Sequence, residues 1–192
     1  EIRNGQAKLI NSLTLSDAGH EENGVFVLGN RDGSKNHQEV TVSYGYDAAT
    51  RLTGAQGSGK FLSDDGFENL TQGRITQKYV LIHGQAKITE SETVSDSYHV
   101  DQGREVLGTW DGTTNHQSMT VGYHYDEDGK LESAQGNGNS SSASSEGSSK
   151  SSIVQNYSVV NGKARLDRTV TTGVTLGNDG AKSTSEQTVD NS

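Results

Sequence analysis

The sequence predicts an all-β fold made of antiparallel hairpins and meanders, arranged in tandem repeats of about 79 residues. Three observations support this prediction. Apolar and polar residues alternate along several segments, turn-forming dipeptides separate these segments, and the same pattern recurs along the chain. No window shows the i, i+3, i+4, i+7 stripe of an amphipathic helix. We expect the repeats to form an elongated sheet or a sandwich-like array.

The clearest strand pattern occurs twice. Four apolar residues at a spacing of two make up each copy: Val40, Val42, Tyr44 and Tyr46 in the first, and Met119, Val121, Tyr123 and Tyr125 in the second. Such alternation is typical of a half-buried strand with one apolar face. A short turn follows each strand, at 47–50 and 126–129, and a second strand-like segment comes after it. Both copies therefore predict a hairpin.

A second kind of hairpin is predicted at Asn161-Gly162. Asn-Gly readily adopts the positive φ angles that a two-residue hairpin turn requires. The corresponding position of the preceding copy carries His83-Gly84.

The repeat is defined by matched residues. Gly5 and Gly84, and likewise Leu28 and Leu107, are separated by 79 positions. A third copy begins at 155–173 and matches 77–95 at an offset of 78. We therefore expect a nearly complete repeat at 1–78, a second at 79–156, and a truncated third at 157–192 that ends with Ser192 opposite Thr114.

The segment 136–152 is rich in Ser and Gly and has low complexity. Such composition is typical of flexible linkers. Its counterpart in the first copy, 57–73, is less degenerate and contains Phe61 and Leu62. We therefore predict a long surface loop within the second repeat rather than a domain boundary.

Composition limits both the architecture and the partners. Only 29% of the 192 residues are apolar and 24 are Gly, which is too little apolar side chain for a thick core. The net charge of −9 makes nucleic acid an unsuitable partner, because phosphate binding needs clustered Lys and Arg. No apolar run is long enough to span a bilayer, so membrane insertion is not expected. The chain contains no Cys and no Pro.

The acidic turn at 126–129 is the one candidate metal site. Asp126 and Asp128 are spaced like the first ligands of a calcium loop. The first copy keeps only Asp47 of these carboxylates, and Asp and Gly also suit a turn for reasons of backbone geometry. A plain turn is the favoured interpretation, Ca²⁺ binding is the alternative, and no other cofactor is expected.

No residue pattern predicts a catalytic site. His37 and His116 occupy matching positions, but the sequence shows no converging ligands or nucleophile beside them. We interpret them as surface or cross-strand histidines. The protein is therefore predicted not to be an enzyme.

Exposed aromatic side chains are the candidate binding residues. Trp110 is the only Trp, and Tyr123 and Tyr125 lie on one predicted strand. Such rings could stack on the sugars of surface glycans, although packing within the fold is the more common role of aromatic residues in β proteins.

Two resemblances support a role outside the cell. The segments "YGYDAATRL" and "YHYDEDGKL" resemble the YD (Rhs-type) repeat, which builds large β structures around secreted toxins. The chain as a whole is similar in composition to large tandem-repeat secreted or surface proteins of bacteria, including segments such as "DDGFENLTQGRITQKYVLIHGQAK". This similarity implies a structural or adhesive role at the cell surface.

Together these features predict a non-enzymatic extracellular structural protein, either part of a surface stalk or adhesin or a subunit of a filament. Its partners would be identical or flanking repeat units, joined by pairing of β-strands. A carbohydrate-binding or adhesive module that uses the aromatic residues is the alternative.

Overall fold

The computed structural model describes residues 2–3 and 6–191 of the chain. It contains fifteen strands and no helix among these residues. In chain order the strands are β1 (Ile2–Arg3), β2 (Gln6–Ala7), β3 (Asn11–Asp17), β4 (Gly19–Glu22), β5 (Val25–Leu28), β6 (Lys35–Tyr46), β7 (Leu52–Asp64), β8 (Asn69–Ile82), β9 (Gln85–Asp101), β10 (Arg104–Leu107), β11 (Thr114–Tyr125), β12 (Leu131–Ser144), β13 (Gly147–Val160), β14 (Lys163–Gly177) and β15 (Lys182–Asp190).

Most of these strands form one open sheet. Its order is β15-β14-β13-β12-β11-β9-β8-β7-β6-β3, and β10 pairs with the end of β9. Every pairing in this sheet is antiparallel. The all-β meander predicted from the sequence is therefore confirmed. The architecture is a single extended layer and not a sandwich, because the described strands of the sheet contact their neighbours within it and no second sheet packs on it.

The predicted hairpins are present with their expected turns. Tyr44 pairs with Ala55 and Tyr123 with Ala134, so each alternating strand returns after its short turn. At the other hairpin, Asn161 and Gly162 have φ angles of 51° and 73°. Positive φ at both central residues matches the twist of the flanking strands.

The central part of the sheet has one face without charged side chains. This uncharged face carries alternate side chains in each strand: even residues of Ser12–Ser16, Asn36–Tyr44 and Ala134–Ser142, and odd residues of Ala55–Ser63, Thr71–Tyr79, Ser91–Ser97, Asn115–Tyr123, Ser149–Tyr157, Thr169–Thr175 and Ser183–Val189. These positions include no Asp, Glu, Lys, Arg or His. The residues between them form the charged face, which carries side chains such as Glu39, Lys60, Lys78, Glu90 and Arg168.

Glycines on the uncharged face are covered by neighbouring side chains. A Cβ atom on Gly138 would lie 2.5 Å from the Ser118 carbonyl oxygen and 2.9 Å from Cε of Met119. A Cβ atom on Gly73 would overlap the ring of Phe61. Glycine is required here because the chain and its neighbours approach too closely for any side chain.

Packing produces only a small core. The buried apolar residues are Leu70, Ile75, Leu131, Ala134 and Ile153, each 8% exposed. No large side chain among the described residues is completely buried. The backbone hydrogen bonds of long ladders therefore contribute an unusually large share of the order in this fold, and apolar burial contributes correspondingly little.

The Ser-rich segment 136–152 is not a loop, contrary to the sequence prediction. It forms the end of β12, a tight turn and the start of β13, with Ser140 opposite Ser151. Composition was misleading because both strands are paired on both sides, and the sheet has no second layer that requires large apolar residues. Gly136 and Gly138 fit because Gln155 and Met119 occupy the space above them.

Irregularities in strand pairing recur at intervals of 79 or 78 residues. Irregularities in pairing lie between Gly45 and Tyr46 and between His124 and Tyr125, and again between Lys78 and Tyr79 and between Asn156 and Tyr157. Of the alignment landmarks, Gly5 and Ser192 lie outside the described residues.

After β14, the strand register differs from that of the gapless alignment. Asp190 lies opposite Arg168, and Thr184 lies opposite Val174. In the second copy, β11 holds this register on β9, with Gly122 opposite Glu90. The strand β15 therefore occupies the place of β11. A gapless alignment missed this because a short turn at 177–181 replaces the hairpin that the end of β9 forms with β10.

Candidate interaction edges

The two outermost strands, β3 and β15, are the candidate interaction edges. Each is paired on one side only within the described residues. On β15, the N–H of Asn191 donates to the Asp167 carbonyl oxygen, so odd residues direct their backbone groups toward β14. Successive residues of a strand alternate in this direction. The N–H groups of Thr184, Glu186 and Thr188 therefore point away from the sheet.

The edge at β3 has the opposite parity. The Ile10 carbonyl oxygen accepts a hydrogen bond from the Tyr44 N–H, and the Ala18 N–H donates to the Asn36 carbonyl oxygen. Even residues therefore direct their backbone groups toward β6. The N–H groups of Leu13 and Leu15 point outward.

Both edges lack two of the usual protections against further pairing, proline and β-bulges, although β15 carries the charged side chains of Lys182, Glu186 and Asp190. Proline is absent from the chain, and pairing along both strands is free of bulges. The side chains of Leu13 and Leu15 are 60% and 57% exposed on β3. A regular edge of this kind is a template for another strand.

The direction of the two edges permits head-to-tail pairing. Ten strands alternate in direction from β3 to β15, so the two edge strands run antiparallel to each other. A second molecule related by simple translation would place its β3 antiparallel to β15 of the first. The alternation would then continue across the junction, with each face continuing into the same face.

Matched histidines form cross-strand pairs on the charged face. His37 Nδ1 lies 2.7 Å from Asp17 Oδ1, and His116 Nδ1 lies 2.7 Å from Asp96 Oδ1. Both pairs are substantially exposed. In the sequence, the two histidines are 79 residues apart and so are the two aspartates. Only the pairing of β3 with β6 and of β9 with β11 shows that each histidine lies beside an aspartate.

The acidic turn has the geometry of a capped turn. Asp126 Oδ1 accepts a hydrogen bond of 2.7 Å from the Lys130 N–H, and the Asp126 carbonyl oxygen accepts one from the Gly129 N–H. Asp47 makes the matching bond with the Arg51 N–H in the first copy. The described residues contain no cluster of three or more His, Asp or Glu side chains suited to hold a metal ion. Asp128, the other predicted Ca²⁺ ligand, lies in the same turn.

The candidate aromatic residues lie in two separate places. Trp110 is half exposed, and its ring centroid lies 4.5 Å from that of His99. The backbone N–H of Trp110 donates to Asn69 Oδ1. Tyr123 and Tyr125 lie on the uncharged face at the other end of the strands, where burial raises the pKa of both hydroxyls. The fold does not bring Trp110 together with the tyrosines, so they do not form one binding platform.

Comparison with known proteins identifies no relative: no family model, curated protein or solved structure matches the chain.

The part of the chain that the structure describes contains no helix with the length and apolar character needed to cross a membrane.

Proposed function

We propose that this chain is a non-enzymatic, extracellular structural protein that assembles through its sheet edges. The observation that carries the proposal is the pair of regular, one-sided edges, β3 and β15, which run antiparallel to each other. A strand from an identical copy or from a flanking repeat unit would complete the ladder at each edge. Main-chain hydrogen bonds would supply the affinity, as in other cases of strand addition.

Head-to-tail contact between two different edges does not close on itself. Such heterologous contacts generate rings if the rotation between subunits closes, and open filaments if it does not. Repeated addition of copies at one edge, each twisted relative to the last, gives an open filament. A surface stalk, an adhesin segment and a filament subunit would all use this junction. Placement outside the cell rests on the composition and on the similarity to tandem-repeat surface proteins.

Electron microscopy of edge variants tests the proposal. The unsubstituted protein is expected to form filaments in negative stain. Thr188→Pro removes an outward N–H of β15 and should abolish the filaments, whereas Thr188→Val keeps that N–H and should preserve them. Monodisperse monomers of the unsubstituted protein across a wide concentration range would contradict the proposal.

A second candidate function is adhesion to surface glycans through Trp110. The half-exposed indole, which lies against the His99 ring at an interplanar angle of 45°, is the observation that favours it. Aromatic rings at a protein surface bind ligands through an apolar face and a polar edge. Binding on a glycan array that is lost in Trp110→Ala and kept in Trp110→Tyr would support this function, and an array without hits would exclude it.

A further inference from the structure

The uncharged face has an unusual composition for an exposed surface. It extends over ten paired strands without an ionisable Asp, Glu, Lys, Arg or His side chain. Within the ranges that define this face, the charged residues all lie on the opposite face, where Lys78 pairs with Glu90 and Lys60 with Glu39. The end of β9, with His99 and Asp101, lies beyond those ranges. Sheets that expose both faces to water have no reason to segregate charge so completely. Segregation is expected where one face packs on another sheet.

We propose that the uncharged face packs against the same face of a second copy, so that each sheet becomes one layer of a two-layer dimer. This contact is separate from the edge pairing proposed above, because it uses side chains of the sheet interior rather than the backbone of β3 and β15. In a filament, the two contacts would operate together.

Charge favours a second copy as the occupant. The chain carries a net charge of −9, so two copies repel each other wherever their charged surfaces meet. The uncharged face is the broad surface on which copies can meet without that repulsion. It offers a charged partner no side chain with which to form an ion pair.

Shape gives the face complementary ridges and grooves. Large side chains on β6 and β8 form one ridge, and those on β11 and β13 form another, led by Val42, Ile75, Met119 and Ile153. Between the ridges, β9 presents only Ser91, Thr93, Ser95 and Ser97 on this face. Ser95 is 9% exposed in this groove, and Ser97, which is 6% exposed, accepts a hydrogen bond from the Asn115 N–H at the end of the groove.

A second groove follows the second ridge. On this face, β14 presents Thr169, Thr171, Gly173 and Thr175. Ridges and grooves therefore alternate across the sheet. Two copies related by a two-fold axis would place a ridge of each in a groove of the other, as a self-complementary interface requires.

The available area is sufficient. Strands about 4.8 Å apart and residues about 3.3 Å apart give the paired part of this face roughly 1,200 Å². A standard stable interface buries about 800 Å² on each partner. Packing would also cover the half-buried Val42, Met119 and their neighbours, and would join them to the small core that contains Ile75 and Ile153.

The test uses protein in which both edges are blocked by Leu13→Pro and Thr188→Pro. These substitutions remove outward N–H groups and leave the uncharged face intact. We expect a dimer by sedimentation velocity and a particle about 20 Å thick by small-angle X-ray scattering, since two packed sheets lie about 10 Å apart. A monomer at about 100 µM, or a particle one sheet thick, would overturn the proposal.

Adjacent threonines on opposite faces provide the matched substitutions. Thr171 lies on the uncharged face and Thr172 on the charged face. In the edge-blocked protein, Thr171→Lys should weaken dimerisation about a hundredfold or more, because it buries an unpaired charge. Thr172→Lys should change it less than about threefold. Equal effects of the two substitutions would contradict the proposal.

The scattering measurement uses the edge-blocked protein without any substitution on the uncharged face. It therefore tests the dimer even if Thr171→Lys unfolds the protein. The two proposals can also fail separately. Filaments that persist after both edges are blocked would contradict edge pairing and would not affect the thickness result. A single-layer particle without filaments would contradict only the face-to-face dimer.

Discussion

Interior and edge strands of this sheet differ in what their backbones contact. The interior strand β8 is hydrogen-bonded along both sides, to β7 and β9, whereas β15 is bonded only to β14. Side-chain burial differs as well, since every residue of β15 is exposed whereas β8 contains the buried Leu70 and Ile75. An interior strand of this sheet is thus held by two ladders and by some side-chain packing, and β15 by one ladder. Edge strands are therefore both the least stable part and the part able to assemble.

Proline substitution at matched positions tests this difference most strongly. Thr76 on β8 and Thr188 on β15 lie in the same row of the sheet, on the charged face. Thr76→Pro removes a ladder bond whichever way its N–H points and should destabilise the fold by about 3 kcal/mol or more. Thr188→Pro should cost less than about 1 kcal/mol, because its N–H points outward. Denaturant unfolding measures both.

The position Gln187 is the control for direction. Its N–H points toward β14, so Gln187→Pro should be clearly more destabilising than Thr188→Pro, although the two residues are adjacent. Equal costs would mean that the assigned parity of β15 is incorrect.

Glycine substitution tests how close packing stabilises the interior. Gly138→Ala places a Cβ atom 2.5 Å from a backbone oxygen, and we expect a loss of about 1–3 kcal/mol. Gly122→Ala introduces a Cβ atom with nothing closer than 4.0 Å and should be neutral or slightly stabilising. Thermal unfolding of the two variants distinguishes them. A similar loss for both would show that strand propensity, and not close packing, dominates.

Two ion pairs lie in the same row across the sheet, one in the interior and one at the edge. They give the smallest expected difference in stability. Lys78 Nζ lies 2.7 Å from Glu90 Oε1 in the interior, and Arg168 Nε lies 2.6 Å from Asp190 Oδ1 at the edge. The hydrogen bond from Lys78 to Glu90, with the charge of that carboxylate, raises the pKa of Lys78. The contribution of this ion pair to the free energy of unfolding should be complete below about pH 10.4, the usual pKa of lysine. It should disappear as the pH rises through the raised pKa of Lys78.

The edge pair should show no such alkaline loss, because arginine stays protonated. Lys78→Arg should accordingly remove the alkaline part of the loss in stability. Unfolding curves recorded between pH 9 and 11 test this, and unchanged pH dependence in Lys78→Arg would contradict it.

Much of the fold could be predicted from local patterns. Alternation at Val40–Tyr46 and the Asn161-Gly162 turn each depend on neighbouring residues only, and both hairpins are confirmed. The Ser-rich hairpin could not be predicted, because its order comes from neighbouring strands rather than from its own side chains. Gly136, for example, is explained by Gln155 on the next strand.

The candidate edges were only partly predictable. The sequence suggested strand pairing between copies and a truncated third copy, but it did not predict that β15 forms an edge strand. The register of β15 depends on the absence of a strand like β10 between β14 and β15. Alignment by residue identity does not detect such a deletion. The segregation of charge between the two faces also depends on the strand pairing. The register and its irregularities determine whether the odd or the even residues of each strand lie on a given face.

Cysteine cross-linking between the two edges tests the central claim most directly, because the chain contains no native Cys. Leu13→Cys on β3 can be combined with a cysteine at Thr184, Glu186 or Thr188, which share its face, or at Ser185 or Gln187, which lie on the other. Head-to-tail strand pairing predicts that oxidation produces intermolecular ladders for at least one same-face combination and for neither opposite-face combination. Cross-linking without regard to face, or no cross-linking by any combination, would contradict edge-to-edge assembly.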